Sequence, residues 1–217
     1  MNNNVEKIIS NINSLSGEYT QHQVFTDWVC LMALSIANSC TMFHDAEYKA
    51  RETKWHQVAN KYHDKLDKFS ENTALLALEL EEKPRDVLGE IYMSGGLGSK
   101  QTGQFFTPYH LSELVARTAF DSMAPCSDGK YHANEPSCGA GGMIIALAME
   151  MKRRGINYQK ELEVVAQDLD WNCVHMCYVQ LSLMGISAVV EQGDTLRGVA
   201  APPGSRFVTP KKKGLFI

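Results

Sequence analysis

The amino-acid sequence predicts an α/β fold, in which a partial, doubly wound parallel sheet follows a helical N-terminal region. The first hundred residues have the pattern of helices, and short apolar runs then alternate with helical ones. Strand, helix, strand, helix and strand in that order are typical of a parallel sheet with crossover helices. We therefore divide the chain into a helical region (1–100), an α/β domain (101–200) and a tail (201–217).

The helical region is predicted from two long stretches. TDWVCLMALSIANS is apolar on nearly every face, which is typical of a buried helix. The stretch from Asp45 to Lys83 is charged and amphipathic and contains neither glycine nor proline. Pro84 and the glycines within 95–103 then break the pattern. We place the main boundary in this glycine-rich segment.

The elements of the α/β domain follow in order. Thr107 and Pro108 form a helix start, and one face of that helix then carries Leu111, Leu114, Val115 and Thr118. KYHANEP, LEVVAQD and ISAVVEQGD are the predicted strands. The connecting helices are Met143 to Arg154, with Ile144, Leu147, Ala148 and Met151 inward, and DWNCVHMCYVQLSLMG, with Asp170 as its N-cap.

Composition limits the function classes. The 217 residues are 44% hydrophobic and 21% charged, so the chain can form a packed core. A formal net charge of −4 argues against a protein that coats nucleic acid through bulk charge. The polar N-terminus lacks a signal-like run, and the longest apolar stretch is too short to cross a bilayer. With six scattered cysteines, we expect a cytoplasmic protein without a membrane partner.

The segment NEPSCGAGGM joins the first predicted strand to a helix. Its glycines Gly139, Gly141 and Gly142 would let backbone amides approach a ligand at the helix N-terminus. On this pattern alone, a tight turn that binds nothing explains the glycines equally well. The spacing differs from Gly-x-Gly-x-x-Gly, which disfavours a nicotinamide-dependent dehydrogenase.

Acidic residues follow the three predicted strands. Glu135 closes the first strand, Asp168 ends the second and Asp194 ends the third. Carboxyl ends of parallel strands meet at one edge, so these acids are expected to converge on one crevice. There Asp168 could accept hydrogen bonds from two ribose hydroxyls, and Asp194 could reach an adenine amino group. Strand ends are often acidic because they are solvated, which would explain one such acid better than three.

Four segments together carry a resemblance to a known family. They are DVLGEIYMSGG…GQFFTP (86–108), EPSCGAGG, AQDLDWNCVHMCYVQLSLMG and EQGDTL. In this order they resemble the adenine-N6 DNA methyltransferases of type I restriction-modification systems, across roughly residues 84 to 196.

The resemblance implies an S-adenosylmethionine-dependent methyltransferase sheet, with S-adenosylmethionine as cofactor and DNA as partner. Carried over to this sequence, it implies a cofactor site with four parts. The methionine end would be bordered by Phe106, Thr107 and Pro108; the loop would be formed by Glu135, Pro136, Cys138, Gly139, Gly141 and Gly142; Asp168 would hold the ribose; Asp194 and Thr195 would lie near the adenine.

The sequence departs from the family at the acceptor site. The Asn/Asp-Pro-Pro-Tyr/Phe motif, which accepts the hydrogens of the adenine amine and stacks on the flipped base, does not occur. The nearest stretch, AAPPG (200–204), is predicted to be a proline turn. No catalytic residue is therefore assigned. The resemblance implies methyl transfer to adenine N6 in DNA, with acceptor-site or specificity elements supplied by a second protein chain or by a diverged site. The alternative is an inactive cofactor-binding regulator or subunit of a restriction or antirestriction system.

Three smaller signals are assigned structural roles. Cys173 and Cys177 share a helix face but His175 does not, so we favour buried cysteines and assign no metal ligand. Lys211 to Lys213 are expected to be a solvated tail. Trp171 is the tryptophan that could pack beside the cofactor's adenine.

Overall fold

The N-terminal region of the protein is a helical bundle. The computed structural model describes residues 3–94, 106–198 and 204–215. The predicted boundary near residue 100 lies outside these ranges, so the domain division stays a prediction. The helices before it are α1 (Asn3–Leu15), α2 (Gln21–Ser39), α3 (Ala46–Ala59), α4 (Leu66–Glu82) and α5 (Val87–Ser94).

Helix α2 is the centre of this bundle, as its apolar sequence predicted. The hydroxyl of Thr20 caps the helix by accepting a hydrogen bond from the amide of Gln23. Phe25 and Trp28 are completely buried. The helix packs against α1 and α3 and also against α9 (Trp171–Leu183) of the sheet region. Among the described residues, all buried apolar side chains except Val189 belong to one continuous core.

The second half of the chain forms a four-stranded sheet in the order β1-β2-β3-β4. The first three strands are parallel and the fourth is antiparallel to β3. This confirms the predicted α/β class with its helical N-terminal region. The strands are β1 (Tyr131–Glu135), β2 (Leu162–Asp168), β3 (Ser187–Gln192) and β4 (Arg206–Val208).

Strand β4 is an addition to the predicted fold. It lies within residues 201–217, for which the sequence suggested a tail. Phe207 is buried there, opposite Val190 of β3. The lysines that follow are bonded to the fold, since Lys212 pairs with Glu163 and Lys213 donates to the carbonyl of Cys40. Residues 200–203 of the predicted proline turn lie outside the described residues.

The crossover helices lie where the apolar periodicity placed them. These helices are α7 (Gly142–Arg153) and α9 (Trp171–Leu183), whereas α6 (Tyr109–Phe120) precedes β1 and the short α8 (Tyr158–Glu161) was not predicted. The inward residues predicted for α7 are all buried. Asp170 caps α9 by accepting a hydrogen bond from the amide of Asn172. None of the described helices has the length and apolar content that crossing a bilayer requires.

The apolar face predicted on α6 points away from the core. Leu111, Leu114 and Val115 are 43%, 61% and 46% exposed. The buried residues of this helix are instead Ser112, Ala116 and Phe120. Helix α6 packs on α7, and small side chains permit a close approach of two helices. The periodicity therefore identified an apolar face of α6, but it did not show whether that face points to the core or to solvent.

One face of the sheet is open. Right-handed crossovers from β1 to β2 and from β2 to β3 place α7 and α9 on the same side of the sheet. On the other side, His132 and Asn134 are exposed and Val165 is 48% exposed. Parallel sheets are normally covered on both faces. The described residues thus leave much of this face, and the outer edge of β1, uncovered.

The buried carboxylate of Glu150 is hydrogen-bonded to two arginines at the C-terminal end of α7. Glu150 is 4% exposed and accepts hydrogen bonds from Arg153 at 2.6 and 2.7 Å and from Arg154 at 2.6 Å. These bonds, that of Arg153 first, hold the pKa of Glu150 at about 2, below its ordinary 4.5, against the opposing effect of burial. Because the folded pKa is depressed, the stabilisation is present above pH 4.5 and is lost as pH falls towards about 2.

We expect Glu150→Gln to reduce the acid sensitivity of the fold. Thermal melting temperatures measured between about pH 4.5 and pH 2 should fall less steeply for the variant than for the wild type. Glu18→Gln, in an exposed turn, is the control and should retain the wild-type slope. Identical slopes for Glu150→Gln and wild type would contradict the assignment.

Candidate functional site

The loops that follow β1, β2 and β3 are bonded to one another at the carboxyl edge of the sheet. The backbone amide of Cys138 donates to the backbone carbonyl of Gln167 at 2.9 Å. The backbone amide of Gly193 donates to the backbone carbonyl of Asp168 at 3.0 Å. The hydroxyl of Thr195 lies 2.7 Å from both the carbonyl oxygen of Pro136 and Oε1 of Gln167. The three strand ends therefore form one continuous surface.

Asp168 organises this surface. Its Oδ2 accepts a hydrogen bond from the amide of Gly139 at 2.9 Å, and its Oδ1 accepts one from the amide of Asp170 at 3.0 Å. A carboxylate has about four lone-pair positions, and the Cys173 thiol also hydrogen-bonds to Asp168, so about one remains for a further donor. Asp168 thus fixes the glycine loop (residues 136–142) and keeps acceptor capacity at the end of β2.

The glycine loop requires glycine at two positions. Gly139 and Gly141 have φ angles of +52° and +96°, which other residues rarely adopt. A Cβ on Gly139 would lie 3.2 Å from Cδ1 of Phe106, and one on Gly141 would lie 3.2 Å from Sγ of Cys177. Helix α7 begins at Gly142, so its first amides and its positive dipole end adjoin the loop.

A cavity of about 400 Å³ opens in front of the loop. Among its described lining residues are two carboxylates and no lysine, arginine or histidine. A cavity of this kind favours a ligand with positive charge. The lining residues are Asp86, Phe106, Thr107, Ser112, Ser137, Cys138, Gly139, Ala140, Gly142, Met143, Asp168 and Cys173.

Asp86 is a cavity residue that sequence reasoning missed. It is 7% exposed and precedes α5, more than fifty residues before the glycine loop. Its Oδ1 accepts hydrogen bonds from the amide of Gly89 at 2.9 Å and from Nε2 of Gln180 at 2.8 Å. Burial raises the pKa of its carboxyl group. Its place in the resembling segment DVLGEIYMSGG was a signal that could have identified it.

Gln180 connects Asp86 to the glycine loop through hydrogen bonds of its side-chain amide. It is completely buried on α9, and its Nε2 also lies 2.7 Å from the carbonyl oxygen of Ala140. Its Oε1 accepts a hydrogen bond from the amide of Leu88 at 3.0 Å. One amide side chain therefore joins α5, the glycine loop and α9.

Six of the predicted cofactor residues line the cavity, and the other six are not among its lining residues. Glu135 is half-buried. Its burial is the main cause that raises the pKa of its carboxyl group, and the negative charge of Asp168 raises that pKa further. The carboxylate of Asp194 accepts a hydrogen bond from the amide of Leu196 and pairs with Arg197 at 3.2 Å. The lining residues are Phe106, Thr107, Cys138, Gly139, Gly142 and Asp168, and the others are Pro108, Glu135, Pro136, Gly141, Asp194 and Thr195.

The family follows from comparison with known sequences. A family model described as N-6 DNA methylase matches residues 83–202, which is more than half of the chain. The chain belongs to the N-6 DNA methylase family. The match contains the glycine loop, Asp86, Asp168 and Gln180.

A solved structure supports the same fold. It is a Listeria monocytogenes protein assigned to the class I S-adenosylmethionine-dependent methyltransferases, with a TM-score of 0.57 and 12% sequence identity. The similarity covers 94% of this chain and 57% of that protein, so the chain spans little more than half of its length. At this identity the likeness shows the fold, which is that of class I methyltransferases. No curated protein matched the chain.

Cys138 and Cys177 lie close together at the glycine loop. Hydrogen bonding with Cys177, together with burial, raises the pKa of the Cys138 thiol well above its ordinary value, so the thiol is neutral at pH 7. His175 instead packs against Phe207, with ring centroids 5.5 Å apart. No group of three or more potential metal ligands comes together among the described residues.

A larger cavity of about 620 Å³ lies between α2, α3 and the start of α9. Trp171 and His175 line it, and burial lowers the pKa of His175 to about 4. None of its described lining residues belongs to the predicted cofactor set. The smaller cavity contains residues of the glycine loop, so we place the candidate cofactor site there.

Proposed function

We propose that the protein binds S-adenosylmethionine in the cavity at the glycine loop and transfers its methyl group to N6 of adenine in DNA. The observation that carries this proposal is the joining of the loop, through the Gly139 amide, to the Asp168 carboxylate at the end of β2. Membership of the N-6 DNA methylase family supports the adenine target. Localisation in the cytoplasm and a role in restriction-modification belong to the same proposal.

The residues of the cavity fit the cofactor chemically. When bound, S-adenosylmethionine supplies a methyl group on a positively charged sulfonium. Asp86 and Asp168 provide negative charge, and no basic side chain opposes it among the described lining residues. Gly139 and Gly142 line the cavity without side chains, so the ligand there meets bare backbone. Asp168, at the end of β2, retains acceptor capacity for a ribose hydroxyl.

The acceptor site requires another source, because the sequence has no Asn/Asp-Pro-Pro-Tyr/Phe motif. We propose that a second protein chain supplies the acceptor elements and that the target adenine is flipped out of the duplex to reach them. The uncovered edge of β1 supports this proposal, since the amides and carbonyls of an edge strand can pair with an added strand.

The second candidate is a cofactor-binding protein without catalysis, which would act as a regulator or subunit of a restriction or antirestriction system. The missing acceptor motif favours it. Both candidates use the same cavity, so binding of the cofactor does not separate them, whereas methyl transfer does.

The test combines calorimetry with methyl transfer. We expect the wild-type protein to bind S-adenosylmethionine and to incorporate labelled methyl into adenine N6 of mixed DNA when a lysate of the source organism supplies the second chain. Gly139→Ala should weaken binding about tenfold or more and abolish incorporation, because its Cβ meets Phe106 and displaces the amide that Asp168 holds.

The matched control is Gly129→Ala. Gly129 has a φ of +75° with no atom within 4 Å of an added Cβ, so this variant carries similar backbone strain away from the cavity. Binding and incorporation should remain at wild-type levels. Binding without incorporation, with or without lysate, would favour the non-catalytic candidate, and absence of binding would refute both.

A further inference from the structure

Asp86 lies beneath the first turn of α7. A Cβ on Gly142 would be 3.0 Å from its Oδ2, and one on Gly89 would be 2.2 Å from the same atom. Both glycines therefore leave room for the carboxylate. Asp86 lines the cavity at this point, between the N-terminal ends of α5 and α7.

Capping of helix α5 uses only one of the two carboxylate oxygens of Asp86. The described hydrogen bonds of Asp86, from Gly89 and Gln180, both end on Oδ1. Asparagine would cap α5 as well as aspartate does. Oδ2 takes part in neither of these bonds, so it is the acceptor that Asp86 can offer to a cationic group of a ligand in the cavity.

Ser112 provides a second, independent indication of a ligand. It is completely buried on α6 and lines the same cavity. Its hydroxyl has no hydrogen-bond partner among the described residues. Buried hydroxyls are normally bonded, and an unbonded one is costly in the free protein.

We propose that Asp86 and Ser112 form the subsite for the α-amino-acid end of the cofactor. The Asp86 carboxylate binds the ammonium group, and the Ser112 hydroxyl and first-turn amides of α7 donate to the carboxylate group. This inference rests on the proposed function, because it takes S-adenosylmethionine as the ligand. It adds two residues, from α6 and from the turn before α5, to the set that the loop and strand ends predicted.

The test compares S-adenosylmethionine with 5′-methylthioadenosine, which has the nucleoside but lacks the amino-acid end. Calorimetry on the full chain should show that Asp86→Asn weakens S-adenosylmethionine binding about 10- to 100-fold, as expected for one charge-assisted hydrogen bond. The same variant should change the affinity for 5′-methylthioadenosine less than about twofold. Asparagine retains the cap, so the fold should be preserved.

Ser112→Ala separates binding from folding. The variant removes an unbonded buried hydroxyl, so the melting temperature of the free protein should stay the same or rise. Affinity for S-adenosylmethionine should nevertheless fall about two- to tenfold, and affinity for 5′-methylthioadenosine should not change. A lower melting temperature with unchanged affinity would overturn the role of Ser112.

Asp27→Asn is the matched control for Asp86→Asn. Asp27 is a buried carboxylate in the helical region, paired with Lys61 at 3.0 Å and outside the glycine-loop cavity. Its loss should lower stability without changing the affinity for either ligand. Equal weakening of both ligands by Asp86→Asn would overturn the subsite and leave the proposed function standing. Failure of the wild type to bind S-adenosylmethionine would overturn both.

Discussion

Asp168→Ala is expected to lower the affinity for S-adenosylmethionine about 100-fold or more, the largest effect on binding of any single substitution considered. The variant loses the acceptor that would take the ribose hydroxyls. It also releases the amide of Gly139, which Asp168 holds at 2.9 Å, so the loop loses its fixed position. Isothermal titration calorimetry measures the change.

Asp128→Ala serves as the control for this result. Asp128 is an exposed acid in the loop before β1, where it pairs with His132 at 2.8 Å. Removing it changes the net charge by the same amount but leaves the strand ends intact, so binding should be unaffected. Wild-type affinity in Asp168→Ala would place the cofactor elsewhere and refute the proposed site.

Gln180→Ala is expected to have the largest effect on stability, lowering the free energy of unfolding by about 3 to 5 kcal/mol. The substitution leaves a cavity in the core. It also removes a hydrogen-bond partner from three buried groups, namely the carboxylate of Asp86, the carbonyl of Ala140 and the amide of Leu88. Urea denaturation followed by circular dichroism measures the loss.

Gln192→Ala is the matched control. Gln192 also donates through Nε2 to a backbone carbonyl, that of Leu169 at 2.9 Å, but this bond is exposed. Water can replace it, so the expected cost is below about 1 kcal/mol. Similar losses for the two glutamine variants would show that the buried network contributes little.

The elements with strong local patterns were predictable from the sequence. β2 has the bounds that LEVVAQD predicted, and Asp170 caps α9 as expected. The direction of the α6 face was not predictable, because periodicity identifies a face without the partner that covers it. β4 has three residues, too few for a pattern, and its place depends on pairing with β3.

The candidate site divides in the same way. Gly139, Gly141 and Asp168 belong to local motifs, so the sequence identified the loop and the strand end. Asp86 and Gln180 are 94 positions apart and meet through tertiary packing. Neither residue type suggests the contact, and helix α9 reads as uniformly apolar around Gln180. Long-range polar networks of this kind require a three-dimensional structure.

Helix α9 has packing partners on opposite sides, the sheet on one and α2 on the other. The stretch that matches the methylase family begins at residue 83, after α2 has ended. A shortened protein that started there would expose the apolar flank of α9 to water and loosen the helix that carries Gln180. The bundle thus covers a flank of α9 that the matching stretch alone would leave exposed, so we expect that stretch to be less stable by itself.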